Sequence, residues 1–248
     1  VNISNPQTNI YTMKQTAGKQ ELYFFANSDR KKNVEFEATF KNDNKIPYLW
    51  NPATGEHFAL VSDNNNKLHI QLDALESALI VFEPRKIDLL AYKFSSSPES
   101  GKALQANWKV NFKHINGSTF SRNMEKLIDF STSEDEAIRT FAGTVTYSTT
   151  IDNKEDIEYI LLTNVNQAVT ELYINGEPAG MKWYGNHNYN VEELMQPVSN
   201  KIEIVLTTTL ANYCMSLKDN ATAQAWAGRY KEPFPSGLTE VEITNSSE

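Results

Sequence analysis

The pair Asn175-Gly176 constrains this chain more than any other two residues. Both residue types accept positive φ at little cost, as both central positions of a type I′ turn demand, and the pair lies between two extended runs. Before it stand Val169 to Ile174, with Leu172 and Ile174 on one face and Glu171 and Tyr173 on the other. The segment from Phe141 to Ile151 puts Phe141, Val145, Tyr147 and Ile151 at odd positions and mostly Thr and Ser at even ones. That period of two marks a half-buried strand. Lys201 to Thr207 repeats it with Ile202, Ile204 and Leu206. Residues 141–209 therefore read as the spine of an antiparallel sandwich.

The segment from Val1 to Pro84 has the same character. Ile10 to Thr16 opens the strands, and Glu21 to Ala26 is an apolar run stopped by Asn27-Ser28-Asp29. From Asn33 to Phe40 the residues Val34, Phe36, Ala38 and Phe40 alternate with Glu35, Glu37 and Thr39. Tyr48 to Trp50 runs into a turn at Asn51-Pro52 closed by Gly55, and Glu56 to Val61 returns. Leu68, Ile70 and Leu72 share a face, and Ala78 to Phe82 reads as a fully buried strand bounded by Pro84. About seven strands at about ten-residue spacing indicate a sandwich or barrel. Residues 85–107 read as the boundary, with loop-like Ser95 to Pro98 and a short bridging strand from Ile87 to Phe94. Trp108 to Phe112 opens the second domain, residues 108–248, and Asn116-Gly117 marks another tight turn. Ser133 and Glu136, and again Asn190 and Glu193, have capping-box spacing for short helical turns. The remainder reads as strand and loop.

The ordered set Phe141, Gly143 and Tyr147, then Leu172 to Gly176, Gly180 and Trp183, then Tyr189 to Val191 and Asn200 to Leu206, resembles the galactose-binding-like jelly roll of large glycoside hydrolases. The likeness is nearest to the C-terminal part of glycoside hydrolase family 106, the α-L-rhamnosidase-like enzymes. Tyr23 to Asn27, Leu49 to Glu56 and Ala78 to Phe82 are similar to the small β-sandwich that precedes the jelly roll there, with Asn51 where the family pattern usually has Asp. Thr207 to Leu217 departs from the family's usual Asn-Leu-Trp-Pro-Asn-Arg run. The resemblance covers about residue 20 to 240. It implies an all-β protein of two antiparallel sandwiches, the first over residues 1–84 and the second a galactose-binding-like jelly roll. It also implies that the catalytic residues of such enzymes lie in a preceding (β/α)₈ barrel, and that the parent protein is exported to the periplasm or cell exterior to degrade plant polysaccharide.

Composition narrows the partners. The net charge of −8 argues against nucleic acid and anionic membrane, which need a basic footprint, and is indifferent to neutral sugars. The 11% aromatic content suits pleated, half-buried surfaces. Cys214 is the single cysteine, so an intrachain disulfide is ruled out, and its apolar neighbours mark it as a small buried hydrophobe. No apolar run reaches the roughly 18 residues of a membrane-spanning helix. A chain that starts at Val1 reads as a piece of something longer.

Glycosidases need two carboxyl groups about 5–10 Å apart, and Asp129, Glu134, Asp135 and Glu136 lie close in sequence. Such a charge run is usually a solvated face, and a barrel of about 250 residues has no room here, so no catalytic site is expected. A complete small hydrolase built on Asp129 and Glu134 is the contrary hypothesis. His57, His69, His114 and His187 are scattered, and with a lone cysteine no zinc site or cofactor is expected. A structural Ca²⁺ is compatible by analogy with jelly rolls, but carbonyl ligands leave no side-chain signature. Sugar recognition has the strongest signal, because pyranose faces stack on aromatic rings while hydroxyls need polar side chains. Trp183, Tyr184, Asn186, His187, Asn188 and Tyr189 cluster around the strand-breaking Gly185. Trp226, Arg229 and Tyr230 form a second patch. Loops at one end of a sandwich are where such folds bind ligands. For Trp183 and Tyr189, closing the sandwich end is the competing role. The expectation is a non-catalytic accessory region that packs on a catalytic domain of the same polypeptide, with weak sugar binding at the loops after Trp183. The alternative is a free-standing carbohydrate-binding module.

Overall fold

The computed structural model describes residues 1–248 except 42, 43, 53, 63–65, 93, 95–97, 153–155, 166 and 246–248. The fold is all-β and divides into two compact units, residues 1–97 and 98–248.

The first unit holds β1 (Asn2–Ser4), β2 (Ile10–Ala17), β3 (Gln20–Asn27), β4 (Val34–Thr39), β5 (Ile46–Trp50), β6 (His57–Leu60), β7 (Lys67–Leu72), β8 (Ser77–Glu83) and β9 (Ala91–Tyr92). One sheet has the order β1-β4-β7 and the other β2-β3-β8-β5-β6-β9. All pairs are antiparallel except β6 with β9, which run parallel. The strand anticipated from Ile87 to Phe94 contracts to the two residues of β9. Of the loop anticipated around Pro98, Ser95 to Ser97 lie outside the described residues.

Val34, Phe36, Ala38 and Phe40 are all buried, as their alternation requires. They face Tyr23, Phe25 and Phe82 from the other sheet, and Phe40 meets the rings of Tyr23 and Phe82 at 4.9 and 4.8 Å. The first of these is edge-on and the second tilted, and such aromatic contacts add to the stabilisation from area burial alone. Glu21 is a buried carboxylate on β3. It accepts from Lys45 at 2.5 Å, Lys14 at 2.8 Å and the Tyr23 hydroxyl at 3.1 Å. Hydrogen bonds from the two lysines hold its pKa down to about 2.

The second unit holds β10 (Lys102–Ala103), β11 (Trp108–His114), β12 (Thr119–Met124), α1 (Glu136–Arg139), β13 (Gly143–Asp152), β14 (Ile157–Thr163), β15 (Val169–Ile174), β16 (Glu177–Lys182), β17 (His187–Asn190), β18 (Ser199–Thr207), α2 (Ala211–Ser216), α3 (Ala221–Ala227) and β19 (Glu240–Asn245). Sheets of order β12-β11-β13-β18-β15-β16 and β10-β19-β14-β17 sandwich one core. From β13 onward the chain switches sheet at every step but the β15–β16 hairpin, the winding of a jelly roll.

Asn175 (φ 54°) and Gly176 (φ 89°) form that hairpin's turn. The Asn175 side chain also ties the turn to β18. Its Nδ2 donates to Asn200 Oδ1 at 2.8 Å, and its Oδ1 accepts from the Lys201 amide at 2.9 Å. Asn200, wholly buried, binds both backbone groups of Gln196 at 2.8 Å. Gly143 (φ 150°) begins β13 where it crosses β11, and a Cβ there would stand 2.2 Å from the Lys113 carbonyl oxygen. Phe141 and Tyr147 flank it in the core, and the Tyr147 hydroxyl accepts from the Leu238 amide at 3.2 Å.

The helical turns depart from the spacing argument. Asp135, not Ser133, caps α1, because the helix starts only at Glu136 and the extended residue immediately before it presents its carboxylate to the Ala137 amide at 3.0 Å. Near Asn190 a 3₁₀ turn spans Glu192–Leu194 behind Val191, which supplies no side-chain cap. Asn190 instead accepts from the Glu192 amide at 3.2 Å. Helices α2 and α3 fill a stretch read from sequence as strand and loop. Asn220 caps α3 by accepting from the Ala223 amide at 3.0 Å, and four alanines within the helix supply its propensity.

Two outcomes test this account. Gly143→Ala is expected to destabilise the second unit by about 3 kcal/mol, because the clash is with backbone and cannot be relieved by a rotamer change; urea unfolding measures it. Glu21 has a folded pKa below its ordinary 4.5, so its contribution is present above that value and is lost as the pH falls through about 2. Calorimetry over that window is expected to show the wild-type chain losing its advantage over Glu21→Gln.

Candidate functional site

The β16–β17 connection, residues 183–186, divides the anticipated sugar-binding run by exposure. Trp183 is 65% exposed and Tyr184 41%, and their rings meet edge-on at 4.7 Å. A tryptophan bared to this degree contributes little to the core. Asn186 and Asn188 are half-buried. Asn188 Nδ2 donates to the Pro98 carbonyl at 2.9 Å, which anchors the start of the unit.

His187 and Tyr189 point the other way. They are 7% and 2% exposed and converge on Thr170 of β15, which is fully buried. Thr170 Oγ1 stands 2.5 Å from His187 Nδ1 and 2.7 Å from the Tyr189 hydroxyl oxygen. The Tyr189 hydroxyl donates to the Thr170 carbonyl at 2.9 Å. With that proton placed, the Thr170 hydroxyl donates to Tyr189 and His187 Nδ1–H donates to Thr170, so each group gives one proton. Burial pushes the His187 pKa down to about 4, with Lys182 adding to the effect, and pushes Tyr189 up to about 12. The imidazole is therefore neutral at pH 7. These two side chains fix the floor of the loop, while Trp183 and Tyr184 present rings to solvent.

Thr170 escaped the sequence reading. Its signal was present: it shares parity with Leu172 and Ile174, so it is a polar residue on an apolar face. Such a residue implies a buried partner.

The second patch lies on and just after α3. Trp226 is 46% exposed and Tyr230 37%, with ring centroids 5.7 Å apart. The Arg229 guanidinium lies 5.1 Å from the Tyr230 ring centroid. Helix α3 is held to α2 by Gln224, whose Nε2 donates to the carbonyls of Cys214 and Leu217.

Asp129 has a structural task. Its Oδ1 accepts from the amides of Ser131 at 2.9 Å and Ser236 at 3.0 Å, which pins residues 129–132 to the approach of β19. Asp135 pairs with Arg122 at 2.6 Å, and this bond holds its carboxyl below the usual range. Glu134 is exposed. Among the described residues no three His, Cys, Asp or Glu side chains come together as metal ligands would.

Against solved structures, the chain overlays a rhamnosidase from Novosphingobium sp. PP1Y with a TM-score of 0.73 and 18% identity, over 98% of its own length. The fold is rhamnosidase-like. The chain spans a quarter of that protein's length. β-Glucuronidases from Dictyoglomus thermophilum and Faecalibacterium prausnitzii overlap 46% and 62% of the chain, with TM-scores of 0.33 and 0.37, too loosely to bear on the reading. No family model matches the sequence, and no curated protein matches it.

The neutral, buried His187 yields a pH prediction. Its folded pKa lies below the ordinary 6.5, so the stability it lends is complete above that value and declines as the pH falls toward about 4. The thermal midpoint of the second unit is expected to fall across this window in the wild-type chain and to stay nearly level in His187→Gln.

Proposed function

We propose that this chain is a non-catalytic accessory region of a large glycoside hydrolase resembling the α-L-rhamnosidase-like enzymes. In this reading it packs on a catalytic barrel of the same polypeptide and touches carbohydrate through the β16–β17 loop. One observation carries the proposal: nearly the whole chain overlays a quarter of a single rhamnosidase. A segment of that proportion, built mainly of β-sandwiches, is suited to leave the chemistry to the rest of the enzyme. The engagement of Asp129 with two backbone amides supports the same conclusion, since a carboxylate so employed is poorly free to attack or to transfer a proton. The exposed rings of Trp183 and Tyr184 support the sugar contact. Neither role calls for a cofactor. Export to the periplasm or cell exterior, where polysaccharide is met, belongs to the same proposal.

A free-standing carbohydrate-binding module is the second reading, favoured by the degree to which Trp183 is bared. The gene's reading frame separates the two: a barrel-sized region encoded directly before Val1 is expected, and its absence overturns the accessory role. The purified chain is expected to leave aryl α-L-rhamnosides intact. Cleavage that disappears in Asp129→Asn or Glu134→Gln would establish a small hydrolase instead. Titration calorimetry with plant oligosaccharides is expected to give weak binding that Trp183→Ala reduces about tenfold, or ~1.4 kcal/mol. Absence of heat with every glycan removes the sugar contact and leaves the packing role standing.

A further inference from the structure

We infer that the cluster of Trp226, Arg229 and Tyr230 takes a carboxylated sugar, a hexuronate unit, in preference to a neutral one. The inference rests on the carbohydrate reading of these residues and adds the chemical class of the ligand.

The rings supply the first part of the argument. Trp226 and Tyr230 are both exposed, with rings inclined by 51° and centroids 5.7 Å apart, so together they form one aromatic surface against which a pyranose can rest. Tyr230 is backed by Phe234, whose ring lies edge-on at 4.9 Å. Phe234 is fixed in turn: the Asn212 amide binds both its backbone groups at 2.8 Å. The platform is therefore preformed, which lowers the ordering cost of binding.

The guanidinium supplies the second part. Arg229 lies over the Tyr230 ring and makes no ion pair with any described residue. The guanidinium carbon lies 5.1 Å from the ring centroid, and no described residue accepts from its N–H donors. A carboxylate matches that fork with two parallel hydrogen bonds, whereas a neutral hydroxyl engages only part of it. Lys182 flanks the other exposed pair, Trp183 and Tyr184, but an ammonium is a point charge without that geometry.

Local charge supplies the third part. The chain carries −8 overall, yet from Thr208 to Thr239 Lys218, Arg229 and Lys231 outnumber Asp219 and Glu232. The excess is a single positive charge, so an anionic ligand here is met chiefly by Arg229 itself.

The test uses the full 248-residue chain, trigalacturonic acid and its fully methyl-esterified form, which differ in charge and not in ring. Binding is followed by the tryptophan indole N–H signals, with that of Trp226 assigned through Trp226→Phe. The acid is expected to bind at least about tenfold more tightly than the ester and to move the Trp226 signal. Arg229→Gln, at an exposed position, is expected to bring acid and ester within about twofold of each other, and Arg229→Lys to restore only part of the difference. Equal binding of acid and ester overturns the inference and leaves a neutral-sugar site. A preference that survives in Arg229→Gln, or that moves the Trp183 signal and not that of Trp226, overturns it as well. No binding of either form removes both the inference and the carbohydrate reading of this cluster.

Discussion

Each strand of a two-layer sandwich must give one face to the space between the sheets, and that obligation organises the second unit. On β11 the buried residues Trp108, Val110 and Phe112 alternate with exposed ones, and on β18 Ile202, Ile204 and Leu206 alternate with exposed or half-buried ones. The apolar interior accounts for most of the stabilisation, and it sets the terms on which any polar group may enter. Thr170, Asn200, His187 and Tyr189 are admitted only because each is hydrogen-bonded within the fold. An unpaired polar atom there would cost about 1–3 kcal/mol. The buried polar groups consequently act as locators. Asn200 and Asn175 lock the hairpin to its neighbour, and Thr170 anchors the base of the β16–β17 loop, which offers bare aromatic rings.

The residues that carry the family likeness turn out to be fold determinants. Phe141, Tyr147, Leu172, Ile174 and Tyr189 are core side chains. Gly143 is a point of backbone approach, and Asn175-Gly176 is a turn. An overlay across nearly the whole chain is compatible with 18% identity. The interior and the turns restrict residue type, while the surfaces, where a ligand would be met, do not. A likeness built on such positions speaks to architecture first. Function has to be argued from what the loops expose.

On that question the chain order was a partial guide. The aromatic-rich run from Trp183 to Tyr189 stood out as a unit, but the fold separates it. Once β17 begins at His187, the pleat turns alternate side chains into the core, so His187 and Tyr189 go in while the residues before the strand stay out. The stretch around Trp226 was legible only as composition. Its helices do carry a local signal, in the Asn220 cap and the alanines after it.

By itself the sequence determined the all-β class, the antiparallel spine and its hairpin, and which strand faces turn inward, because a period of two and an Asn-Gly turn are local properties of the backbone. It also marked aromatic residues fit for stacking on sugar. Only the tertiary structure decided which of those rings reach solvent, that Thr170 joins His187 to Tyr189, that Asp129 is committed to Ser236, and that the Arg229 guanidinium lies over the Tyr230 ring. Those outcomes depend on contacts between residues far apart in the chain, which no local pattern encodes.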